Sequence, residues 1–528
     1  MSHRSKAMFA LLVLILAACN ATPSVRAIDP IRTVSGLVQG DVEGLVRVYR
    51  GIPFAAPPLG PLRWREPQPA TPWPGIRDAR SFAPACMQAG VSMPGERPPA
   101  VSEDCLYLNI WAPVRAKSLP VIVWIHGGGF TNGSASMPLY WGDRLAEKDV
   151  IVVTIAYRLG PFGFLAHPNL TAESPHDTSG NYGILDQIAA LRWVSRNIAA
   201  FGGDPGRVTI AGQSAGAMSV SLLLASPLAR GLFHGAIAQS GGMFEPLQLA
   251  PGFALEAAEK DGQTFAIAMG AANIADLRDR PAQDFLDPAF YKSARPTHPV
   301  IDRYVVPRGP YQAYAEGLQN DVPVLVGSNA DEARSLVADV SKIRAASFAE
   351  DIARSFGPLP AALIEAYPHA TDADAVSARL AFERDLRFGW DMWAWARLHA
   401  AHSRTPVYYY HFDRAPPFPR ESPYGGWGAG HFVDLWYMSD HLDQDSWAWT
   451  DDDRRLARDM SQYWVNFART GNPNGGALVT WPSFDHSERV LYLGSSIRVG
   501  GVANRQALSA FDRVYDSLRG SAEPKRAP

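Results

Sequence analysis

The sequence predicts a doubly wound α/β fold, in which helices cover both faces of a large, mostly parallel central sheet and helical insertions interrupt the pattern. Two observations predict it. Strand-like segments alternate with helical ones along most of the chain, and the strongest strand segments are near-continuous runs of apolar and β-branched residues. Such runs are typical of parallel strands buried on both faces.

The predicted strands are short and mostly apolar. The first two lie at 33–39 and 45–49, on either side of a glycine-bordered turn. The strongest lie at 121–125 and 150–157, where nearly every residue is apolar or β-branched. The remaining strands are predicted at 208–211, 236–239, 322–327 and 407–412.

Apolar residues at helical spacing predict three long helices. They lie at 183–200, at 215–225 directly after a strand, and at 453–470, where a glycine and then a proline end the closing helix. Helical patterns also dominate 244–321 and 333–405, where strand signals vanish. These two stretches are the predicted insertions.

Composition excludes several classes of protein. The 528 residues are 47% hydrophobic and 19% charged, which is typical of a chain that buries a large core and excludes a disordered or fibrous protein. The formal net charge is −3 and no run of Lys or Arg occurs, which argues against a nucleic-acid binder. Length alone would suggest roughly three or four domains.

Residues 1–27 are predicted to be a secretory leader, because basic residues precede an unbroken apolar run at 8–18 and small residues follow. A run of this length is shorter than the roughly 20 residues that a membrane-spanning helix needs, and no later segment is longer. We therefore expect an exported chain, periplasmic or extracellular, with no transmembrane helix.

The sequence is compatible with two cleavage sites for this leader. The sequence Leu16-Ala17-Ala18-Cys19 resembles the bacterial lipobox, and cleavage there would leave a lipidated Cys19 that anchors the protein to a bacterial membrane. Ordinary cleavage after Ala27 would instead discard Cys19. In either case Cys86 and Cys105 remain, and export permits a disulfide between them, the alternative being two buried free thiols.

A G-x-S-x-G motif at 212–216 carries the first chemical signal. A predicted strand precedes it and a predicted helix follows, as in a sharp turn that exposes a serine hydroxyl at the end of a sheet. This context favours Ser214 as a nucleophile over an unreactive serine in a tight glycine turn.

A serine hydroxyl needs a general base, and the base needs an acid that orients it. Glu332 follows the strand at 322–327, at the end of the sheet where such folds place their sites. The neighbouring Asp331 is an equal candidate on these grounds. His431 lies in a glycine-bordered turn after the strand at 407–412 and is the candidate base, although a histidine in a loop is by itself a weak signal.

Three consecutive glycines, 127–129, follow the strand at 121–125. Their backbone N–H groups, together with that of Ala215, are placed to meet an oxyanion. A phosphate-binding loop is the alternative, but the Lys-Ser/Thr pair of a P-loop is missing.

These segments resemble the type-B carboxylesterase/lipase family, which includes the cholinesterases. Residues 201–216 are similar to the serine signature of that family, and residues 103–110 (EDCLYLNI) are similar to its second signature, around a disulfide cysteine. Further matches run in the family's order from residue 33 to about 485. The resemblance implies an α/β-hydrolase fold in which residues 28–528 form a single catalytic domain. Together with the predicted leader, it indicates an exported, bacterial-type member of the family.

The resemblance also implies roles for individual residues, and it prefers Glu332 over Asp331 as the acid. It implies a catalytic triad of Ser214, His431 and Glu332, an oxyanion hole formed by Gly128, Gly129 and Ala215, and a disulfide between Cys86 and Cys105. No cofactor and no metal are expected, because no Cys/His spacing is typical of a ligand set.

The chain departs from the family pattern near the site. Gln213 replaces the usual Glu, Phe432 replaces the Gly after the histidine, Asp434 replaces a Glu, and Ala333 stands where Gly often follows the acid. In addition, no aromatic residue occurs between 87 and 104, where cholinesterases present a tryptophan to choline. We therefore do not expect a choline ester as substrate.

The sequence thus predicts a serine carboxylic-ester hydrolase that acts on small-molecule esters through an acyl-enzyme. Two alternatives are an interfacial lipase and a non-catalytic, cholinesterase-like adhesion protein. The complete triad favours the enzyme over the adhesion protein. Phe130, Trp141 and Phe432 are candidate walls of the substrate pocket.

Overall fold

A computed structural model of the protein describes residues 29–91, 93, 99–291, 296–337 and 339–520. The leader and Cys19 lie outside the described residues, so their assignment stays a prediction. Within these ranges, no helix combines the length and the apolar composition needed to cross a membrane.

Strands in the described part of the chain are numbered in chain order. They are β1 (Ile31–Thr33), β2 (Gly36–Gln39), β3 (Asp41–Glu43), β4 (Val46–Pro53), β5 (Ile76–Asp78), β6 (Ala85–Cys86), β7 (Val101–Ser102), β8 (Tyr107–Pro113), β9 (Leu119–Ile125), β10 (Ile151–Ile155), β11 (Gly203–Gln213), β12 (Gly235–Gln239), β13 (Val324–Asn329), β14 (Val407–Phe412), β15 (Val490–Leu493) and β16 (Arg498–Gly500).

The α-helices of the described residues are numbered in the same way. They are α1 (Asp143–Ala146), α2 (Gly160–Phe164), α3 (Pro168–Glu173), α4 (Tyr182–Asn197), α5 (Ala215–Ala225), α6 (Leu255–Ala268), α7 (Ile274–Asp279), α8 (Pro310–Ala315), α9 (Phe348–Phe356), α10 (Ala361–Glu365), α11 (Asp372–Arg384), α12 (Trp390–His402), α13 (Asp434–Met438), α14 (Asp451–Thr470) and α15 (Arg505–Gly520).

An eleven-stranded sheet organises the molecule, in the order β16-β15-β14-β13-β12-β11-β9-β10-β8-β4-β3. The strands from β15 to β10 in this order are mutually parallel, whereas β16 and β8 pair antiparallel with their neighbours. The predicted large, mostly parallel sheet is therefore confirmed.

Helices cover both faces of this sheet. Along β9, Val123 and Ile125 belong to one hydrophobic cluster, whereas Ile122 and Trp124 belong to another. Helices α4, α5 and α12 contribute to the first cluster, and helices α13 and α14 contribute to the second. Because successive side chains of a strand point to opposite faces, each face has its own core.

The sequence predicted most of the central elements, but two predictions are wrong and some strands of the central sheet were not predicted. The segment 33–39 is not one strand but the hairpin β1–β2, with Thr33 paired to Gly36. Gly36 has a positive φ of 150°, and the Trp73 ring lies 2.5 Å from where a Cβ would stand. Strand β8 was missed, and α14 is not the closing helix, because β15, β16 and α15 follow it.

The topology brings the predicted site residues to one edge of the sheet. Gly127 to Gly129 follow β9, Ser214 follows β11, and Glu332 comes shortly after β13, all at the carboxyl ends of parallel strands. His431 lies between β14 and α13. This edge is where open α/β sheets place their sites.

The candidate active site

Ser214 occupies a tight turn between β11 and α5. Its backbone has φ 57° and ψ −126°, a region that non-glycine residues rarely adopt and that costs of order 1–3 kcal/mol. The Ser214 N–H donates to Gln239 O at 2.9 Å, which holds the turn in place. Ser214 is partly exposed, whereas Gln213 and Ala215 on either side of it are buried.

The glycines of the motif are required by close backbone approach. A Cβ on Gly212 would lie 2.5 Å from the Gly216 backbone, and a Cβ on Gly216 would lie 2.1 Å from Ile125 O. Both distances are shorter than a carbon can tolerate. The turn therefore admits no larger residue at either position.

The glycine loop after β9 lies against this turn. A Cβ on Gly127 would lie 3.1 Å from Ser214 Cβ, so the two segments are in close contact. Gly128 and Gly129 have φ values of 109° and 60°. Within the described residues, the N–H groups of Gly128, Gly129 and Ala215 donate no hydrogen bond, which leaves them available to a bound group.

Glu332 and His431 form a short, buried contact. Glu332 Oε2 lies 2.6 Å from His431 Nδ1, and the two side chains are 0% and 2% exposed. The second oxygen, Oε1, accepts from Asn329 N at 2.8 Å, and Asn329 Nδ2 donates to Gly430 O at 2.8 Å. Asn329 at the end of β13 thus ties the glutamate turn to the histidine turn.

Asp331 has a different position from Glu332. Its N–H donates to Ala429 O at 3.0 Å, and its Oδ2 accepts from Ala429 N at 3.0 Å. Its Oδ1 accepts from Arg334 Nε at 2.9 Å. Asp331 therefore fixes the loop before His431, while Glu332 reaches the imidazole ring itself.

Two aromatic rings contact His431. Phe388 stacks on the imidazole at a centroid distance of 4.4 Å and an interplanar angle of 13°. Phe432 lies edge-on at 4.3 Å. Phe388 was missed from the sequence, because it lies in a single π-helical turn, Asp385–Gly389, between α11 and α12. Apolar spacing does not reveal such a turn.

Gln213 also reaches the histidine. Its Nε2 lies 3.1 Å from His431 Nε2 and 3.5 Å from Nδ1. Within the described residues, Ser214 Oγ makes no hydrogen bond, so the structure brings Glu332 and His431 into contact but does not join Ser214 to His431. Hydrogen bonds to a catalytic nucleophile are often long before substrate binds.

Asp434 belongs to a buried hydrogen-bond network that reaches the Glu332 turn through Asn329. Its Oδ2 accepts from Gln239 Nε2 at 2.7 Å and from Tyr410 Oη at 3.0 Å, and its Oδ1 accepts from Asn329 Nδ2 at 3.3 Å. Burial raises the pKa of Asp434, and the Glu332 carboxylate raises it further, while the Gln239 hydrogen bond opposes the shift. The Asp434 side chain therefore helps to fix the position of the Asn329 side chain.

His126 is the other histidine near the glycine loop, and it is not a candidate base. Burial lowers the pKa of His126 to about 4. Its Nδ1 lies 2.9 Å from Gly127 O, and its ring stacks on Tyr157 at 4.5 Å. It therefore stays neutral at ordinary pH and braces the loop.

The candidate wall residues lie in different places. Trp141 stacks on Phe82 at 5.6 Å in a cluster with Val46 and Trp111. Phe130 is buried against Phe164. Phe432 makes a ring contact with His431, a member of the predicted triad.

A disulfide joins Cys86 and Cys105, with Cα atoms 4.9 Å apart, as expected. Within the residues that the structure describes, no three His, Cys, Asp or Glu side chains are grouped so that they could hold a metal ion.

Comparison with known proteins decides the family. Residues 29–510 match the model of the carboxylesterase family. The chain belongs to this family. The predicted resemblance is thereby confirmed, and so is the prediction of a carboxylic ester hydrolase.

Relatives of this carboxylesterase occur in bacteria and mammals. It is 40% identical to a fumonisin B1 esterase of Sphingopyxis macrogoltabida, over 89% of this chain and 87% of the relative. It is 35% identical to the para-nitrobenzyl esterase of Bacillus subtilis (strain 168), over 89% and 95%, and 36% identical to the cocaine esterase of Homo sapiens, over 92% and 91%.

Solved structures give the same fold. A PNB esterase structure matches with a TM-score of 0.78 at 34% identity, covering 91% of this chain and 99% of the other. A thermophilic PNB esterase matches with a TM-score of 0.80 at 33% identity, with the same coverage. The α/β-hydrolase fold is therefore confirmed.

Proposed function

We propose that the protein is a serine carboxylic-ester hydrolase that works through an acyl-enzyme on Ser214. The observation that carries this proposal is the 2.6 Å contact between Glu332 and His431, at the sheet edge that also carries the strained Ser214 turn. The Gln213 side chain, one residue before Ser214, lies against the same imidazole ring.

In the first half-reaction, Ser214 Oγ attacks the carbonyl carbon of the ester while His431 Nε2 takes the hydroxyl proton. Glu332 accepts the Nδ1–H hydrogen bond, which fixes the tautomer and stabilises the imidazolium. The bond between carbonyl carbon and alcohol oxygen then breaks, and His431 returns the proton to the departing alcohol.

In the second half-reaction, water replaces the alcohol. His431 takes a proton from the water, whose oxygen attacks the acyl carbon, and the bond to Ser214 Oγ breaks as the proton returns to the serine. Both half-reactions place negative charge on the former carbonyl oxygen. The N–H groups of Gly128, Gly129 and Ala215 are proposed to receive this oxyanion, since they donate to nothing else among the described residues.

The proposed substrates are small carboxylic esters, in line with the fumonisin, para-nitrobenzyl and cocaine esters after which relatives are named. Choline esters are not among them. The neutral Gln213 offers a quaternary ammonium group no carboxylate at this position.

Covalent labelling tests the acyl-enzyme. A p-nitrophenyl phosphonate should add one phosphonyl group to the protein with release of one p-nitrophenol, and peptide mass spectrometry should place it on Ser214. Ser214→Ala should take up none. A label on another residue, or none on the wild type, would contradict the proposed nucleophile.

We also propose that residues 28–528 act as one exported catalytic domain, since the triad residues are drawn from distant parts of the chain. Mass spectrometry of the mature N-terminus, after expression in a bacterial host, separates the two leader assignments. A diacylglyceryl-modified Cys19 would establish the lipid anchor, and an unmodified start at Ile28 would exclude it.

A further inference from the structure

Gln213 is the last residue of β11, and it is fully buried. Its carboxamide nitrogen lies 3.1 Å from Nε2 and 3.5 Å from Nδ1 of His431. These two distances are nearly equal. A donor aligned with the Nε2 lone pair would lie far from Nδ1, because that lone pair points away from the other ring nitrogen. The carboxamide therefore lies across the face of the imidazole.

Phe388 is stacked almost parallel to the same ring, at 4.4 Å and 13°. Since its ring fills the space over one face, the carboxamide of Gln213 must occupy the other. His431 is thus clamped between an aromatic ring and an amide. The clamp leaves the Nε2 lone pair free in the plane of the ring, where Ser214 Oγ can use it.

The orientation of the amide has an electrostatic consequence. The N–H end, which is the positive end of the dipole, faces the imidazole. The Oε1 end lies toward Gly127, 3.1 Å from where a Cβ would stand, and it has no hydrogen-bond partner within the described residues. The amide therefore presents the positive end of its dipole, and no negative charge, to the His431 ring.

Other charged and neutral groups also surround the His431 side chain. Glu332 contacts Nδ1, and Asp434 is hydrogen-bonded to the neighbouring Asn329. Ser335 accepts from the His431 backbone N–H, and it is uncharged, as are the aromatic neighbours Phe388 and Phe432. On the face opposite Phe388, the ring contacts the neutral carboxamide of Gln213.

We infer that Gln213 is a positioning residue for the ester hydrolysis: it holds the His431 ring against Phe388 and presents a neutral amide where a carboxylate would otherwise face the imidazole. The inference rests on the proposed function, because it takes His431 as the base. It goes beyond that proposal, since it assigns the positioning of the base to a non-ionisable side chain outside the triad.

The test compares kcat/KM against pH for Gln213→Glu, Gln213→Met and the wild type, with p-nitrophenyl acetate as substrate. A carboxylate this close to an imidazole favours its charged form by about one to three pKa units. The acid limb of the Gln213→Glu profile should therefore move to higher pH by about one to three units. A purely structural role would lower activity at every pH without moving the limb.

Gln213→Met keeps the length of the side chain and removes the amide. It should lower kcat by roughly tenfold to a hundredfold, with KM little changed, because misplacement of a catalytic ring costs rates of this order. This variant tests the inference if Gln213→Glu does not fold.

Gln187→Glu is the matched control for Gln213→Glu. Gln187 is also fully buried, but it contacts Ser219 rather than His431, so the acid limb of the Gln187→Glu pH profile should stay in place.

An unmoved acid limb in Gln213→Glu, or a wild-type kcat in Gln213→Met, would overturn the inference. Ser214→Ala, measured in parallel, separates this failure from that of the proposed function. If Ser214→Ala is inactive while Gln213→Glu leaves the limb in place, the triad stands and the role of Gln213 falls. If Ser214→Ala stays active, the proposed function itself falls.

Discussion

Glu332 Oε2 lies 2.6 Å from Nδ1 of His431, across 99 residues of sequence and with both side chains almost completely buried. Such a contact requires that β13 and the loop after β14 end at the same edge of the sheet. Because a buried carboxyl group needs a hydrogen-bond partner, the pair also explains how a glutamate is accommodated here. The other ring nitrogen of His431, Nε2, is the proposed base.

Replacing Glu332 with Gln should lower kcat for a p-nitrophenyl ester by about 10³–10⁴, because an amide favours the wrong tautomer of the base and cannot stabilise the imidazolium. The fold should persist, since the substitution keeps the size of the side chain. Steady-state kinetics with circular dichroism as a folding check measure both effects.

Asp331→Asn is the matched control for that substitution. Asp331 contacts Ala429 and Arg334 rather than the imidazole ring, so we expect less than a tenfold loss of kcat, within the range of a weakened turn contact. If the two variants exchange their effects, Asp331 is the acid and the assignment of Glu332 is wrong.

Gly128→Ala should lower kcat by about 10²–10³, the usual effect of losing one oxyanion donor. A Cβ there would lie 2.1 Å from Asn132 O, and φ is 109°, so the loop must shift. Gly44→Ala is the control, because Gly44 also has a positive φ, 59°, but has open space around its Cβ position. It should affect stability without lowering kcat; equal losses of kcat in both variants would contradict the oxyanion assignment.

The disulfide between Cys86 and Cys105 should stabilise the fold by about 3 kcal/mol, the value that the chain-entropy model gives for a loop of this size. The double variant Cys86→Ala/Cys105→Ala should therefore have a lower free energy of unfolding in urea. Adding a reductant should destabilise the wild type and leave the double variant unchanged. A wild type that is insensitive to reductant would show that the bridge contributes little.

Burial raises the pKa of the Glu245 carboxyl to about 7 from an ordinary value of 4.5. Between these two values the folded protein holds a proton that the unfolded chain has lost, so this group's contribution to stability falls as pH rises through that window. The neighbouring buried Asp391 is affected in turn, since burial first and then the Glu245 charge raise its pKa.

Glu245→Gln should remove that dependence, so that the variant is more stable than the wild type at pH 8 and the two converge near pH 4.5. Thermal unfolding from pH 4.5 to 8 measures the difference. The exposed Glu365, substituted as Glu365→Gln, is the control and should leave the curve unchanged. A constant difference between Glu245→Gln and wild type at every pH would contradict the assignment.

The central sheet could be predicted because its strands carry uninterrupted apolar runs. Helix α5 and strand β14 lie at their predicted bounds, 215–225 and 407–412. The hairpin at 31–39 could not be predicted from local sequence. Trp73, whose ring packs against Gly36 at the turn, lies far from it along the chain.

The site residues also divide into those that the local sequence predicts and those that it does not. Ser214 and the glycine loop follow directly from local motifs, because tight backbone turns impose glycine at fixed positions. The choice between Glu332 and Asp331 needed family resemblance, since adjacent carboxylates differ only in three-dimensional direction. Phe388 and the position of the Gln213 amide over the ring could not be predicted, because both depend on packing between segments far apart in sequence.

The central claim is that Ser214 is the nucleophile, and hydrolysis of a p-nitrophenyl ester series by wild type and Ser214→Ala tests it most directly. Ser240→Ala is the matched control, since Ser240 directly follows the neighbouring strand β12, has a positive φ of 54°, and has a buried hydroxyl without a hydrogen-bond partner among the described residues. The account predicts that Ser214→Ala loses about 10⁴-fold or more in kcat on every ester, while Ser240→Ala stays near wild type. Equal activity of Ser214→Ala and wild type, or inactivity of all three proteins on every ester, would contradict it.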